Sequence, residues 1–233
     1  MAKLPVAGRV KTRLCPPLTG EQAAGVHAAL LRHKLRRLRE TREIDQISWA
    51  YTGGTQADAE KLAADVRLDR ANSEEADDPF ELFEQSEGDL GDRLVAAVSH
   101  GGPQDSILFF GIDSPHVPAA SIATAVQLLR SGRDVIGPCD DGGFWCLGVS
   151  PEADVAALLR SVDWSSGHEL SQVQANAERA GRPLGEAPAF WDVDRPADLA
   201  RLLADLAQAP AESPHGRLRG RLEALSLPDL SAY

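Results

Sequence analysis

Carboxylates gather at three places in this chain where an α/β protein keeps its ligand sites. Asp113 follows the apolar run at residues 106–112 and is followed at once by Ser114 and Pro115. Asp140 and Asp141 stand in the turn "CDDGG", and Asp192 and Asp194 come just before a helix expected to open at Pro196. In an open α/β sheet, ligands bind beyond the carboxyl ends of the strands. A single carboxylate at a strand end is ordinarily a cap or a turn residue. Three acidic positions at one end of one sheet instead suit Mg²⁺ or Mn²⁺, which take oxygen ligands and keep waters and substrate phosphates in their shell. Gly142 and Gly143, next to Asp141, are expected to let a ligand come close to the backbone.

A second chemical signal stands near the start. The run "GRVKTRL", residues 8–14, is led by a glycine and carries Arg9, Lys11 and Arg13. Backbone N–H groups and cations together can wrap a diphosphate in such a loop. It is not a Walker loop, because the second glycine and the Gly-Lys-Ser/Thr ending are absent. Alone, a solvated basic turn explains it equally well. Beside metal-binding carboxylates it reads as one half of a nucleotide-diphosphate site.

Other residues have plainer readings. "RHKLRRLRE", residues 32–40, reads as the wet face of a long helix. His27 and His33 lack a ligand partner at i+4, and His116 reads as an exposed loop histidine. Trp164, in "VDWSS", belongs either to a substrate-side loop or to packing. Asp89 in "GDLGDRL" reads as a helix cap through Asp-x-x-Asp. No spacing suggests a Ser-His-Asp or Cys-His arrangement, and there is no G-x-S-x-G.

The elements that position these residues alternate. Thr19 and Gln22 form a capping box, followed by a helix to about Arg42 with Leu31, Leu35 and Leu38 at helical spacing. "ISWAY" is a strand, a helix spans about residues 56–64, and a short strand falls near residues 66–68. Residues 72–79 are acidic and loop-like, and "GDLGDRL" opens a further helix. "SILFFGI" has the continuous apolar character of a parallel strand covered on both faces. A helix at residues 119–130, strands "DVIGP" and "FWCLGV", a helix near residues 168–180 and a last core helix from Pro196 complete the pattern. This alternation predicts an α/β fold, a three-layer α/β/α sandwich around a mostly parallel sheet. Residues 1–207 form the domain, and residues 208–233 a linker and peripheral tail.

With 233 residues the chain is long enough for one full core. Its net charge of −11 argues against a nucleic-acid partner, and no run of about 18 apolar residues is present to span a membrane. The three widely spaced cysteines, Cys15, Cys139 and Cys146, fit buried thiols in a reducing cytoplasm.

Taken in order, "KLPVAGRVKTRL", "GDLGDRL", "GIDSP", "GPCDDGGFWCLGV", "VDWSS" and "DVDRPADL" resemble a bacterial family of GT-A-type glycosyltransferases. These are the rSAM/selenodomain-associated, or arsenosugar-biosynthesis, transferases of the nucleotide-diphospho-sugar transferase superfamily. The resemblance runs over about residues 3–203. It implies that Gly8, Lys11 and Arg13 contact the donor's phosphates and that Asp113 binds metal, with Asp194 completing the metal site. It also implies that Asp141, Gly142 and Gly143 line the sugar or acceptor pocket, with Trp164 near it, and that Asp141 or Asp194 takes the acceptor's proton. Two departures stand out. The family strand "GYYLIG" is here "GFWCLG", which loses two tyrosine hydroxyls at Phe144 and Trp145. The apolar first strand that precedes the glycine loop in the family is also missing, so an internal start or a truncated product is expected.

The activity expected is metal-dependent transfer of a sugar from a nucleoside diphosphate to a small acceptor, with Mg²⁺ or Mn²⁺ as cofactor. A nucleotidyltransferase joining an NTP to a small phosphorylated or acidic metabolite is the alternative within enzymes. A non-catalytic nucleotide-binding or interaction subunit is the alternative outside them.

Overall fold

The computed structural model describes residues 1–68, 80–230 and 232–233. Along the chain, strand β1 (Ala2–Lys3), helix α1 (Gly20–Arg39), β2 (Ile47–Thr52), α2 (Gln56–Leu68) and β3 (Phe80–Glu84) come first. They are followed by α3 (Leu90–Val98), β4 (Ile107–Phe110), α4 (Ala119–Arg130), β5 (Val135–Pro138) and β6 (Phe144–Val149). The short α5 (Val155–Leu158), α6 (Glu169–Arg179), β7 (Gly185–Glu186), α7 (Pro196–Leu206) and α8 (Pro214–Glu223) complete the order. These elements fall into two compact units. The first holds residues 2–84 and 193–233; the second holds Met1 and residues 85–192.

The first unit is built on a parallel sheet in the order β1-β2-β3. Ala2 sits opposite Tyr51 in the pair of β1 with β2. Helix α1 starts where its capping box directs. Gln22 N donates to Thr19 Oγ1 at 3.2 Å, and Thr19 N donates to Gln22 Oε1 at 3.0 Å. Leu31, Leu35 and Leu38 are buried, as helical spacing predicts. The helix closes at Arg39, one turn earlier than expected. His27, on its buried face, donates from Nε2 to Lys3 O at 2.8 Å and ties α1 to β1.

Residues 66–68, expected as a strand, are instead the last turn of α2. Ala59, Leu62, Ala63 and Val66 recur at i, i+3, i+4 and i+7, and all four are buried. Strand β3 was not anticipated, and residues 72–79 lie outside the described residues. The segment expected as a peripheral tail contains α8, which packs on α1 and α7. Its Leu218 and Leu222 are 1% and 0% exposed.

The second unit carries a mixed sheet in the order β4-β6-β5-β7. Strand β6 runs antiparallel to both β4 and β5, and β7 is parallel to β5. The expected parallel arrangement therefore holds in the first unit's sheet. Here β4, read as a parallel strand, pairs antiparallel with β6, Phe109 facing Leu147. Val135, Ile136 and Leu147 are fully buried, consistent with cover on both faces. Asp134, 5% exposed, pins the far end of this sheet. Its Oδ1 accepts from Ser150 N and Oγ, both at 2.8 Å, and its Oδ2 accepts from Arg182 Nε at 3.1 Å. No helix among the described residues is long and apolar enough to cross a membrane.

Candidate functional site

In the second unit, the chain beyond β7 continues alongside the end of β5. Ala187 N donates to Ile136 O at 2.9 Å, Phe190 N to Pro138 O at 3.0 Å, and Asp140 N to Phe190 O at 3.0 Å. This backbone ladder delivers Asp192 beside Cys139. Asp192 Oδ1 accepts from Cys139 Sγ at 3.3 Å and also from Ser114 Oγ. Ser114 arrives from the end of β4, where Gly111 N donates to Trp145 O at 3.0 Å and prolongs the pairing with β6. His116, expected to be exposed in its loop, instead stacks on Trp191 with ring centroids 4.0 Å apart and meets Phe190 edge-on.

Asp141 is held in the tight turn between β5 and β6. Its Oδ1 accepts from Gly143 N at 3.0 Å, and Cys139 N donates to Gly143 O at 2.9 Å across the turn. Ligand atoms of Cys139, Asp141 and Asp192 lie within 4.8 Å of one another. Burial pushes the Asp192 carboxyl up to about 6, and the negative charges of Asp113 and Asp141 push the same way. The bonds donated by Ser114 and Cys139 oppose this without overcoming it. Burial and the neighbouring Asp192 also push the Cys139 thiol well above its ordinary range.

These shifts decide which metals the donor set fits. A thiol kept protonated is a poor ligand, because metals bind the thiolate. What remains are the hard oxygens of Asp141 and Asp192, the donor type that Mg²⁺ and Mn²⁺ prefer, with the charge of Asp113 acting on Asp192. A bound cation would also supply the charge that a buried, ionised Asp192 lacks.

The glycines of this turn have separate uses. Gly142 has φ +88°, and a Cβ there would stand 1.9 Å from Gly167 O. The space expected for a ligand at Gly142 is taken by the backbone of residue 167, with Leu170 N donating to Gly142 O at 2.9 Å. Gly143 is less crowded, its nearest neighbour being Asp141 Oδ1 at 3.2 Å. Trp164 meets Phe144 edge-on with centroids 6.4 Å apart and lies against Gly91. Asp89 caps α3, accepting from Asp92 N at 2.9 Å, as its spacing predicts.

In the first unit, the glycine-led loop is fixed by its buried Val10 and Leu14. Gly8 and Lys11 take positive φ, 74° and 47°. Lys11 Nζ donates to Val193 O at 2.6 Å and to Asp194 Oδ1 at 2.9 Å. Its side chain is 5% exposed, whereas that of Arg13 is 63% exposed and reaches Asp194 Oδ2 at 3.4 Å. Of the residues expected at donor phosphates, Lys11 is thus turned inward, while Arg9 and Arg13 stay on the surface. Asp194, expected at the metal, is drawn to these cations in the first unit. The late carboxylate that joins Asp141 is Asp192. Ser114 and Cys139 were not singled out from sequence, although each adjoins a residue that was.

The family model described as "Uncharacterized protein conserved in bacteria (DUF2064)" matches residues 49–166. Among solved structures, the chain is similar to a protein from Desulfovibrio desulfuricans G20 described as a "putative nucleotide-diphospho-sugar transferase". The two share 23% identity with a TM-score of 0.77, over 96% of this chain and 93% of that one. At this identity the likeness establishes the α/β fold. No curated protein matches the chain.

Proposed function

The chain belongs to the DUF2064 family, and from that starting point we propose that it is a metal-dependent glycosyltransferase. It would move a sugar from a nucleoside diphosphate sugar to a small acceptor. The observation that carries this reading is the half-buried Asp192, clustered with Asp141 and close enough to Asp113 to feel its charge. The description of the Desulfovibrio protein supports the same substrate class.

Asp113, Asp141 and Asp192 would hold Mg²⁺ or Mn²⁺. Such a cation, when bound, offsets the charge that builds on a departing diphosphate. Ser114 and Cys139 fix the orientation of Asp192 by donating to one of its oxygens, which leaves the other for a ligand. Asp141 is exposed and is the better placed of the two carboxylates considered for accepting the acceptor's proton. Asp194 has another task, holding Lys11 and through it the loop from which Arg9 and Arg13 offer positive charge to phosphates. Trp164 and Phe144 offer apolar ring edges to a sugar or acceptor beside Gly143. Cations following Gly8 also favour the second reading, nucleotidyl transfer from an NTP.

A thermal-shift panel separates these readings. UDP-, GDP-, dTDP- and ADP-sugars and the four NTPs are each tested with Mg²⁺, with Mn²⁺ and with chelator. A ligand at about 100 times its Kd adds roughly 2.7 kcal/mol, which shifts Tm by about 5–10 °C for a chain of this size. A metal-dependent shift with one nucleotide sugar, followed by release of a nucleoside diphosphate on turnover, supports glycosyl transfer. A shift with an NTP alone and release of pyrophosphate replaces it with the second reading. Metal-independent binding with no turnover, unchanged in Asp113→Ala, makes the protein a binding subunit.

A further inference from the structure

The acidic residues of the second unit stand on chain segments that run on past the sheet. The backbone rungs after β7 reach Phe190, two residues before Asp192, and those that prolong β4 reach Gly111, two residues before Asp113. Beyond these points the two segments hold each other. Ser114 Oγ donates to Asp192 Oδ1. Two residues further on, His116 lays its ring on Trp191, with centroids 4.0 Å apart and planes inclined by 21°. Pro115 fixes φ between Ser114 and His116, so both contacts come from one stiff piece of chain.

The same imidazole also meets Phe190, at 5.6 Å and with planes inclined by 69°. A stacked neighbour restrains a ring along its normal and a steeply inclined one restrains it within its plane, so one side chain fixes two successive residues from two directions. Phe190 is backed in turn by Trp145 of β6, centroids 5.9 Å apart, whose Nε1 donates to Pro188 O at 2.9 Å. Trp191 is buried and His116 half-buried, which places the stack within the packed interior rather than on the surface.

We propose that His116 is a positioning residue for the carboxylate cluster. By stacking on Trp191 it holds the segment that carries Asp192 in place beside Asp141, and so pre-forms the cation site. The proposal rests on the reading of that cluster as a site for Mg²⁺ or Mn²⁺. It assigns the effect to the face of the ring and not to a ring nitrogen. Carboxylates that must be gathered at the moment of binding cost ordering entropy that pre-placed ones do not, and the difference appears as affinity.

The test follows Mn²⁺ binding through the electron paramagnetic resonance of the free ion, and stability through urea unfolding of the same samples. Wild type is compared with His116→Ala, with His116→Phe, which keeps an aromatic face and removes both ring nitrogens, and with Leu129→Ala. Leu129 is buried on α4 against Gly148, toward the end of β6 away from the hairpin, and controls for loss of stability alone. His116→Ala should bind Mn²⁺ at least tenfold more weakly, while His116→Phe and Leu129→Ala stay within threefold of wild type. Unchanged affinity in His116→Ala overturns the proposal. So does a phenylalanine variant as weak as the alanine one, which would assign the effect to the imidazole nitrogens. An equal loss in Leu129→Ala also overturns it, because affinity would then simply follow stability. Should His116→Ala fail to fold, His116→Leu replaces it with the same outcomes. Wild-type protein that binds no Mn²⁺ refutes the cation reading itself, and amide hydrogen exchange then decides the positioning role. Residues 188–192 should be less protected in His116→Ala than in His116→Phe, and equal protection refutes the role.

Discussion

Cys139 and Ser114 both donate to the same oxygen of Asp192, the thiol across 3.3 Å. Two neutral donors on one oxygen favour a carboxylate. Burial and two neighbouring negative charges nevertheless outweigh them, so Asp192 keeps its proton up to about pH 6. A carboxylate arranged in this way is uncomfortable when ionised without a cation, and that discomfort can be measured.

The sign follows from the two proton affinities. Asp192 titrates near its ordinary 3.8 in the unfolded chain and near 6 in the folded one. Below pH 3.8 it is protonated in both states and its charge costs nothing. As the pH rises from 3.8 to 6 the folded state loses stability, and the cost levels off on the order of 3 kcal/mol towards neutrality. Asp192→Asn should therefore gain about 3 kcal/mol relative to wild type between pH 4 and pH 7. Urea unfolding of both proteins in chelator checks this, and a pH-independent difference would show that Asp192 is not desolvated.

Metal affinity should divide the cluster by ligand hardness. Cys139→Ser should change Mn²⁺ affinity by no more than about threefold, while Asp141→Asn and Asp192→Asn should weaken it at least tenfold. The same picture predicts that iodoacetamide at pH 8 labels the partly exposed Cys15 first, leaving Cys139 and Cys146, 4% and 1% exposed, unmodified in the native protein. Peptide mass spectrometry reads the labelling. A ten-fold loss of Mn²⁺ affinity in Cys139→Ser would make the thiol a ligand after all.

Gly142 and Gly132 form a matched test of backbone crowding. Both have positive φ, but a Cβ at Gly142 meets Gly167 O at 1.9 Å, whereas one at Gly132 meets nothing within 4 Å. Gly132→Ala should cost about 1 kcal/mol, the usual left-handed penalty. Gly142→Ala should cost about 3 kcal/mol, since two loops must part as well. Equal losses in thermal unfolding would mean that residues 142 and 167 do not meet in solution.

Lys11 and Asp194 should respond unequally to removal. Asp194→Asn removes the carboxylate that faces a buried ammonium, and should cost about 3 kcal/mol. Lys11→Met leaves Asp194, 35% exposed, in reach of Arg13 and should cost about 1 kcal/mol. Denaturant melts of the two variants give the order directly, and a reversed order would show that the lysine is not desolvated.

Local signals in the sequence were read well because neighbours decide them. Thr19 with Gln22 and Asp89 with Asp92 cap α1 and α3 as their spacing dictates. Val66 misled, since a β-branched residue before a presumed turn reads as strand, while Ala59, Leu62 and Ala63 already laid out the helical stripe that it completes. The site was legible as a set of aspartates but not as an assignment among them. Asp192 and Asp194 stand two residues apart in the same acidic segment. Which of them is buried beside Ser114 and which pairs with Lys11 depends on partners 78 and 183 residues away. The packing of α8 on α1 was illegible for the same reason, because the two helices stand far apart in the chain.

The turn that carries Asp141 joins β5 to β6, and every residue of β6 from Trp145 to Val149 is buried. A strand enclosed on both sides has no indifferent register: sliding it by one position would exchange Trp145 with its neighbours on opposite faces. The number of residues between Pro138 and Phe144 is therefore as constrained as their identity. Chemical novelty at this end of the sheet has to arise by replacing side chains in the hairpin, while insertions and deletions must be absorbed elsewhere in the chain.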